Sequence, residues 1–196
     1  MERFVGELYD FSRQLEEITG QPLSYESLSE AFRTMANAQF QLSRFIDLRR
    51  KHPLIIRGSF AMAVMNAMSY TWTPEWTAQM TALNDELEAL ARSGENAVRE
   101  NQPRILLTGS PVIFPNMKIP LLIEEMGGLL AADETCMGER GLYDPPAMAD
   151  RTVDGMIRAL ANRSTRPCTC PTFADNKRRI YRIRQLIRDY RIQGVI

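Results

Sequence analysis

Cysteine and histidine are scarce, with three and one respectively in 196 residues. An odd cysteine count argues against the fully paired disulfide framework that staples small secreted domains. The lone histidine, His52, precedes Pro53 at an expected helix end, where capping is the simpler role. Formal net charge is zero, which removes a global electrostatic drive toward nucleic acid or anionic membrane. No apolar run approaches the ~18 residues of a spanning helix. The start, Met1-Glu2-Arg3-Phe4-Val5, lacks a signal-peptide layout, and no glycine-rich phosphate loop of standard type occurs. These absences predict a cytoplasmic protein with no nucleic acid and no membrane among its partners.

Hydrophobic residues make up 44% of the chain, sufficient for a real core. The first hundred residues predict helices. Phe4, Leu8, Phe11 and Leu15 recur at helical spacing, and Gly20 follows as a C-terminal cap. Pro22 and Ser24 restart the chain. Leu28, Phe32, Met35, Leu42, Phe45 and Ile46 then carry a stripe to Arg50, with Arg49, Arg50 and Lys51 suiting the negative helix end. A third helix is expected over 59–70. Thr73-Pro74-Glu75 reads as the opening of a fourth, ending at Gly94, with Trp72 and Trp76 packing at its start.

At Pro103 the pattern changes. Arg104 to Pro111 is a short apolar run closing on Thr108-Gly109-Ser110-Pro111, the mark of a buried parallel strand. A helix is expected over 118–126 and a second strand over 129–136. Further helices are expected over 146–162 and from Thr172 or Asp175, the last with an Ile180–Ile183–Ile187–Tyr190 stripe. Gly194-Val195-Ile196 begins a third strand. This grammar predicts an α/β fold: a helical segment over 1–102, then over 103–196 half of a Rossmann-like parallel three-layer domain, truncated at a third strand.

Ligands of open α/β sheets bind outside the carboxyl ends of the strands. Two such ends are legible. One offers Gly109 and Ser110. The other packs Asp133, Glu134, Thr135, Cys136 and Arg140 into eight residues, and a capping loop or a ligand site would both explain that density. Cys136 is a candidate metal ligand or nucleophile, although no histidine base lies nearby in sequence. Cys168-Thr169-Cys170, between two prolines, lacks the spacing of roughly two to four residues and the extra ligands of a zinc site. It reads as a stiff loop. Lys177, Arg178, Arg179, Arg182, Arg184, Arg188 and Arg191 make the last helix basic, and the Ile stripe between them predicts a solvated charged face.

Several short motifs follow one another in order: Ile18 to Ser24, Asp47-Leu48-Arg49-Arg50, Arg57-Gly58-Ser59, and Arg104 to Ser110. Lys118-Ile119-Pro120 with Ile123-Glu124-Glu125, Ala132 to Arg140, Pro167-Cys168 and Gly194-Val195-Ile196 complete the series. In that order they resemble the 2-hydroxyacyl-CoA dehydratase D-component family, which includes benzoyl-CoA reductase subunits. The resemblance implies a fragment of a two-domain subunit carrying a [4Fe–4S] cluster on three cysteines. It also implies an acyl-CoA substrate, a paralogous subunit in a heterodimer, and an ATP-dependent activator that delivers one electron. Its dehydratases expel the substrate hydroxyl through a ketyl radical. Aligned so, the cluster cysteines fall outside this segment, and the fragment alone is expected to be inactive. Ring reduction of an aryl-CoA and a non-catalytic scaffold or electron-transfer role stay open beside dehydration.

Overall fold

A computed structural model describes residues 1–142, 145–148, 150–165 and 170–196. Cys168 and its neighbours Pro167 and Thr169 lie outside the described residues. Four helices come first: α1 (Glu2–Thr19), α2 (Tyr25–Lys51), α3 (Gly58–Ala67) and α4 (Thr73–Ser93). Local chemistry sets their limits. Gly20 and Gly94 close α1 and α4 with φ of 69° and 77°, a left-handed cap that glycine adopts without a Cβ penalty. Ser24 opens α2 through a capping box with Ser27. His52 caps the C-terminus of α2, as its position before Pro53 predicts. Helix α3 stops at Ala67, three residues short of the expected end, where its last turn loosens into the turns at 68–70. Trp76 is buried and donates to the Val64 carbonyl at 3.1 Å. Trp72 instead is 75% exposed, so only one of the two tryptophans packs.

Strand β1 (Arg104–Thr108), α5 (Lys118–Glu125) and β2 (Leu129–Glu134) follow. A short 3-10 helix over Glu139–Leu142, then α6 (Val153–Thr165), α7 (Lys177–Asp189) and β3 (Gly194–Val195), complete the order. The sheet is parallel, in order β2-β1-β3. Side chains alternate across it: Leu107 and Leu130 join the core of α2, α3 and α4, while Leu106, Leu129 and Ala131 face Leu186 and Tyr190 at the α7 end. Helices thus cover both faces, as in a Rossmann-like unit. A separate small core joins α1 to α6 through Val5, Ile157 and Ala161.

Strand β2 ends at Glu134, two residues before the expected 136, and two helix starts also differ from expectation. Helix α6 begins at Val153 rather than near Pro146, because Thr152 is the effective cap: its hydroxyl accepts the Gly155 N–H at 3.0 Å. Helix α7 begins at Lys177, whose N–H is accepted by the Asp175 carboxylate at 3.0 Å. Its inward stripe also differs. Tyr190 is buried and Ile183 and Ile187 pack partly buried against the same core, as the stripe predicts, but Ile180 is 50% exposed and Leu186 is buried in addition.

Close backbone contact positions the sheet. A Cβ on Gly58 would lie 2.0 Å from the Leu130 carbonyl oxygen, so α3 can sit against β2 only with glycine at that position. Among the described residues no helix is long and apolar enough to cross a membrane.

Candidate functional site

The carboxyl ends of β1 and β2 lie side by side, Thr108 opposite Glu134. Glu134 is fully buried. A buried carboxylate needs charge and hydrogen bonds to offset its lost hydration, and the loop after β2 returns both. Arg140 Nε donates to Glu134 Oε1 at 3.0 Å and Nη2 to Oε2 at 2.7 Å, a bidentate pair. The same guanidinium reaches the Glu134 carbonyl, the Gly109 carbonyl at 3.3 Å and Cys136 Sγ at 3.1 Å. One side chain therefore ties together the end of β1, the end of β2 and the thiol. The Thr108 hydroxyl donates to Glu134 Oε2 at 2.7 Å, and Arg179 of α7 reaches Thr108 Oγ1 at 3.0 Å and Glu134 Oε2 at 3.5 Å.

Asp133 and Glu139 form a second buried group below the first. Asp133 Oδ1 accepts both the N–H and the hydroxyl of Thr135, at 3.0 and 2.8 Å. Gly138 closes the loop over it, since a Cβ there would fall 1.7 Å from Asp133 Oδ1. Burial pushes the Asp133 carboxyl above its usual range, against the opposing Thr135 hydrogen bonds and the Arg49 charge. Glu139 accepts the Tyr190 hydroxyl at 2.7 Å and Arg182 Nη2 at 3.4 Å. Burial pushes its carboxyl up to about 7, with Arg49, Tyr190 and Arg182 resisting and Asp133 adding to the rise. Arg49, at 3% exposure, donates to the Leu130 and Ala131 carbonyls at 3.2 Å each, and its guanidinium stands 5.9 Å from the Phe45 ring centroid. Four guanidiniums, of Arg49, Arg140, Arg179 and Arg182, thus serve three buried carboxyls.

The predicted site residues separate into two groups. Asp133, Glu134, Thr135 and Arg140 are buried and brace the strand ends. Gly109 is half-buried, and Ser110 and Cys136 are exposed, so these three stand open at the strand ends. Cys136 and Cys170 are free thiols. Side-chain and backbone hydrogen bonds with Thr172 lower the Cys170 pKa, and the Arg140 charge acts in the same direction. Sequence reasoning placed Thr108 and Glu139 in the two strand-end segments without giving them a role, and missed Arg49, Arg179, Arg182 and Tyr190 as parts of this assembly. For α7 a signal existed: positions 179, 182, 186 and 190 share a helical stripe as regular as the isoleucine one. The expected wholly solvated basic face is corrected here, because Arg179 and Arg182 turn inward to Glu134 and Glu139.

A parallel sheet covered on both faces, with a charged frame at the strand carboxyl ends, defines a Rossmann-like unit. The chain belongs to the 2-hydroxyglutaryl-CoA dehydratase D-component family, whose sequence profile matches residues 1–196. It is 26% identical over 196 residues to YjiM of Escherichia coli (strain K12), whose name describes a dehydratase subunit. That match covers 97% of this chain and 48% of YjiM. It is also 26% identical over 184 residues to the (R)-phenyllactyl-CoA dehydratase beta subunit of Clostridium sporogenes, covering 93% of this chain and 46% of that protein. The chain therefore spans about half the length of the curated relatives it matches.

Proposed function

We propose that this chain forms part of an iron–sulfur subunit of a cytoplasmic 2-hydroxyacyl-CoA dehydratase. The reaction is radical dehydration of a 2-hydroxyacyl-CoA to an enoyl-CoA, after ATP-driven one-electron activation. Its partners on this reading are a paralogous subunit, in a heterodimer, and an activator protein. The observation that carries the reading is the match of all 196 residues to the dehydratase D-component family. Both relatives bear dehydratase names, which favours dehydration over aryl-CoA ring reduction or a scaffold role.

A [4Fe–4S] cluster calls for thiolates converging on one site. Among the described residues no group of three histidine, cysteine or acidic side chains could hold a metal ion. The Cys136 sulfur already faces the Arg140 guanidinium. The described residues therefore do not fit the cluster, and on this reading its ligands come from elsewhere in the full polypeptide. What these residues supply is placement. The Glu134–Arg140 pair and Thr108 lock the two strand ends, while Gly109 lets a ligand approach the backbone closely.

The test is anaerobic turnover by the full-length protein combined with its paralogous subunit and activator. ATP-dependent conversion of a 2-hydroxyacyl-CoA to the enoyl-CoA, followed by chromatography, is the expected result. Absence of conversion across charged, aliphatic and aryl 2-hydroxyacyl-CoA substrates, with an activator shown to hydrolyse ATP, would refute it.

A further inference from the structure

A crevice of about 120 Å³ opens beside the carboxyl end of β2, between α2, the end of α3 and the loop that carries Cys136. Leu42 (3% exposed) and Met65 (4%) form its floor. Met68 and Met137 form half-buried walls, and Met35 and Cys136 stand exposed at its rim. Five of its nine lining residues carry sulfur, and none is charged. Arg140 Nη1, 3.1 Å from the Cys136 sulfur, fixes the thiol at that rim.

Each of these features bears on what can enter. Thioethers on flexible stems adapt to irregular apolar shapes and make favourable contacts with aromatic rings. An apolar cavity of about 150 Å³ is large enough for benzene, so about 120 Å³ open at one side holds most of a phenyl ring or a short branched chain. A long acyl chain exceeds it. A terminal carboxylate would leave water and find no cation in the lining, a heavy desolvation cost. The guanidiniums of Arg49, Arg140 and Arg179 bond to carbonyls or to Glu134, and none of them lines the crevice.

We infer that this crevice receives the acyl side chain of the thioester substrate and selects aryl or short branched apolar groups over groups ending in a carboxylate. The inference rests on the acyl-CoA reading above and names the substrate class that reading leaves open. The ligand enters at the sheet end where open α/β folds bind theirs, with Cys136 at the mouth.

The test uses the full-length protein with 3-phenylpropanoyl-CoA, glutaryl-CoA and free CoA as probes. None carries the 2-hydroxyl, so binding is read without turnover. Calorimetry should show 3-phenylpropanoyl-CoA binding roughly tenfold or more tightly than glutaryl-CoA, a ratio within reach of one apolar pocket. The phenyl ligand should slow iodoacetamide alkylation of Cys136 several-fold, read by peptide mass spectrometry, and free CoA should not. Met137→Lys places a cation in the wall and should reverse the preference, while Met137→Leu should keep it. Met35→Lys, at the exposed rim, serves if the first variant does not fold. Equal affinities for the two thioesters, or Cys136 alkylation indifferent to the phenyl ligand, overturn the crevice and leave acyl-CoA binding standing. Failure of every thioester to bind overturns both readings.

Discussion

Replacing Arg140 by methionine removes the one side chain that joins both strand ends to the thiol. Glu134 would keep the Thr108 hydroxyl at 2.7 Å and Arg179 at 3.5 Å, but lose both bonds of its closest cation. Removing one partner of a buried ion pair costs about 3–5 kcal/mol, because the other charge stays buried. Arg179 remains within reach and keeps the loss near the lower bound, about 3 kcal/mol. That is a large share of the roughly 5–15 kcal/mol by which proteins of ordinary size are stable. With a urea m-value of about 2 kcal/mol/M, the unfolding midpoint should fall by about 1.5 M. Buried Trp76 offers the fluorescence signal. Arg140→Lys keeps a charge without the fork and should cost roughly half as much. Replacing Glu134 as well should recover much of the loss, since an apolar pair often substitutes for a buried ionic one at little cost. A drop under about 1 kcal/mol for Arg140→Met, or no coupling in the Glu134–Arg140 double-mutant cycle, would refute the claim that this pair braces the strand ends.

Two further perturbations test the surrounding frame. Glu139 titrates near 7 in the fold, above its usual value of 4.5, so its contribution is fully present below about pH 4.5 and is lost as pH rises through 7. Over that window it contributes a stability slope of about −1.4 kcal/mol per pH unit; Glu139→Gln should flatten this part of the stability–pH curve, and an unchanged curve would contradict its burial as a titrating acid. Gly58→Ala forces a Cβ into the Leu130 carbonyl and should cost about 3 kcal/mol, lowering Tm by roughly 6–12 °C. Gly94→Ala, with φ of 77° but open space around it, should cost only about 1 kcal/mol, and equal effects of the two substitutions would show that backbone approach at Gly58 is not the constraint.

Much of the fold was legible because its signals are local. Gly20, Ser24 and Gly94 act on backbone groups a few residues away, and the structure places caps at all three. The apolar runs at 105–107 and 129–132 became parallel strands for a similarly short-range reason. Signals failed where a stronger one competed. Pro146 resembled a helix opening, but the Thr152 hydroxyl bonding to the Gly155 N–H is the actual cap. On α7 the Ile183, Ile187 and Tyr190 part of the stripe packs inward, but Leu186 also reaches the core and Ile180 stands outward.

The candidate site was half legible, and the missing half is informative. Its acidic members stand within seven residues, so their density shows in the sequence. Their cations come from three separate places: Arg49 lies 84 residues before Asp133, Arg140 follows Glu134 by six residues, and Arg179 and Arg182 arrive on α7 more than 40 residues after Glu134 and Glu139. Pattern rules assign arginine outward because charge is costly to bury alone. They cannot register that a distant carboxylate has already been buried at the same depth. By pattern alone, Arg49 belongs to a helix end, where it does lie, and Arg179 and Arg182 belong to a solvated face. The carboxylates should have raised the question. Asp133, Glu134 and Glu139 sit in and just after an apolar run that must enter the sheet, so partners were required from somewhere. Helix α7, with six basic residues, is the richest source of them in the chain. The same accounting narrows the ligand-facing set. With Glu134 and Arg140 bracing one another and the strand ends, and Asp133 held by Thr135, Ser110, Cys136 and the Gly109 backbone remain at the surface of those ends, beside the methionine-lined crevice.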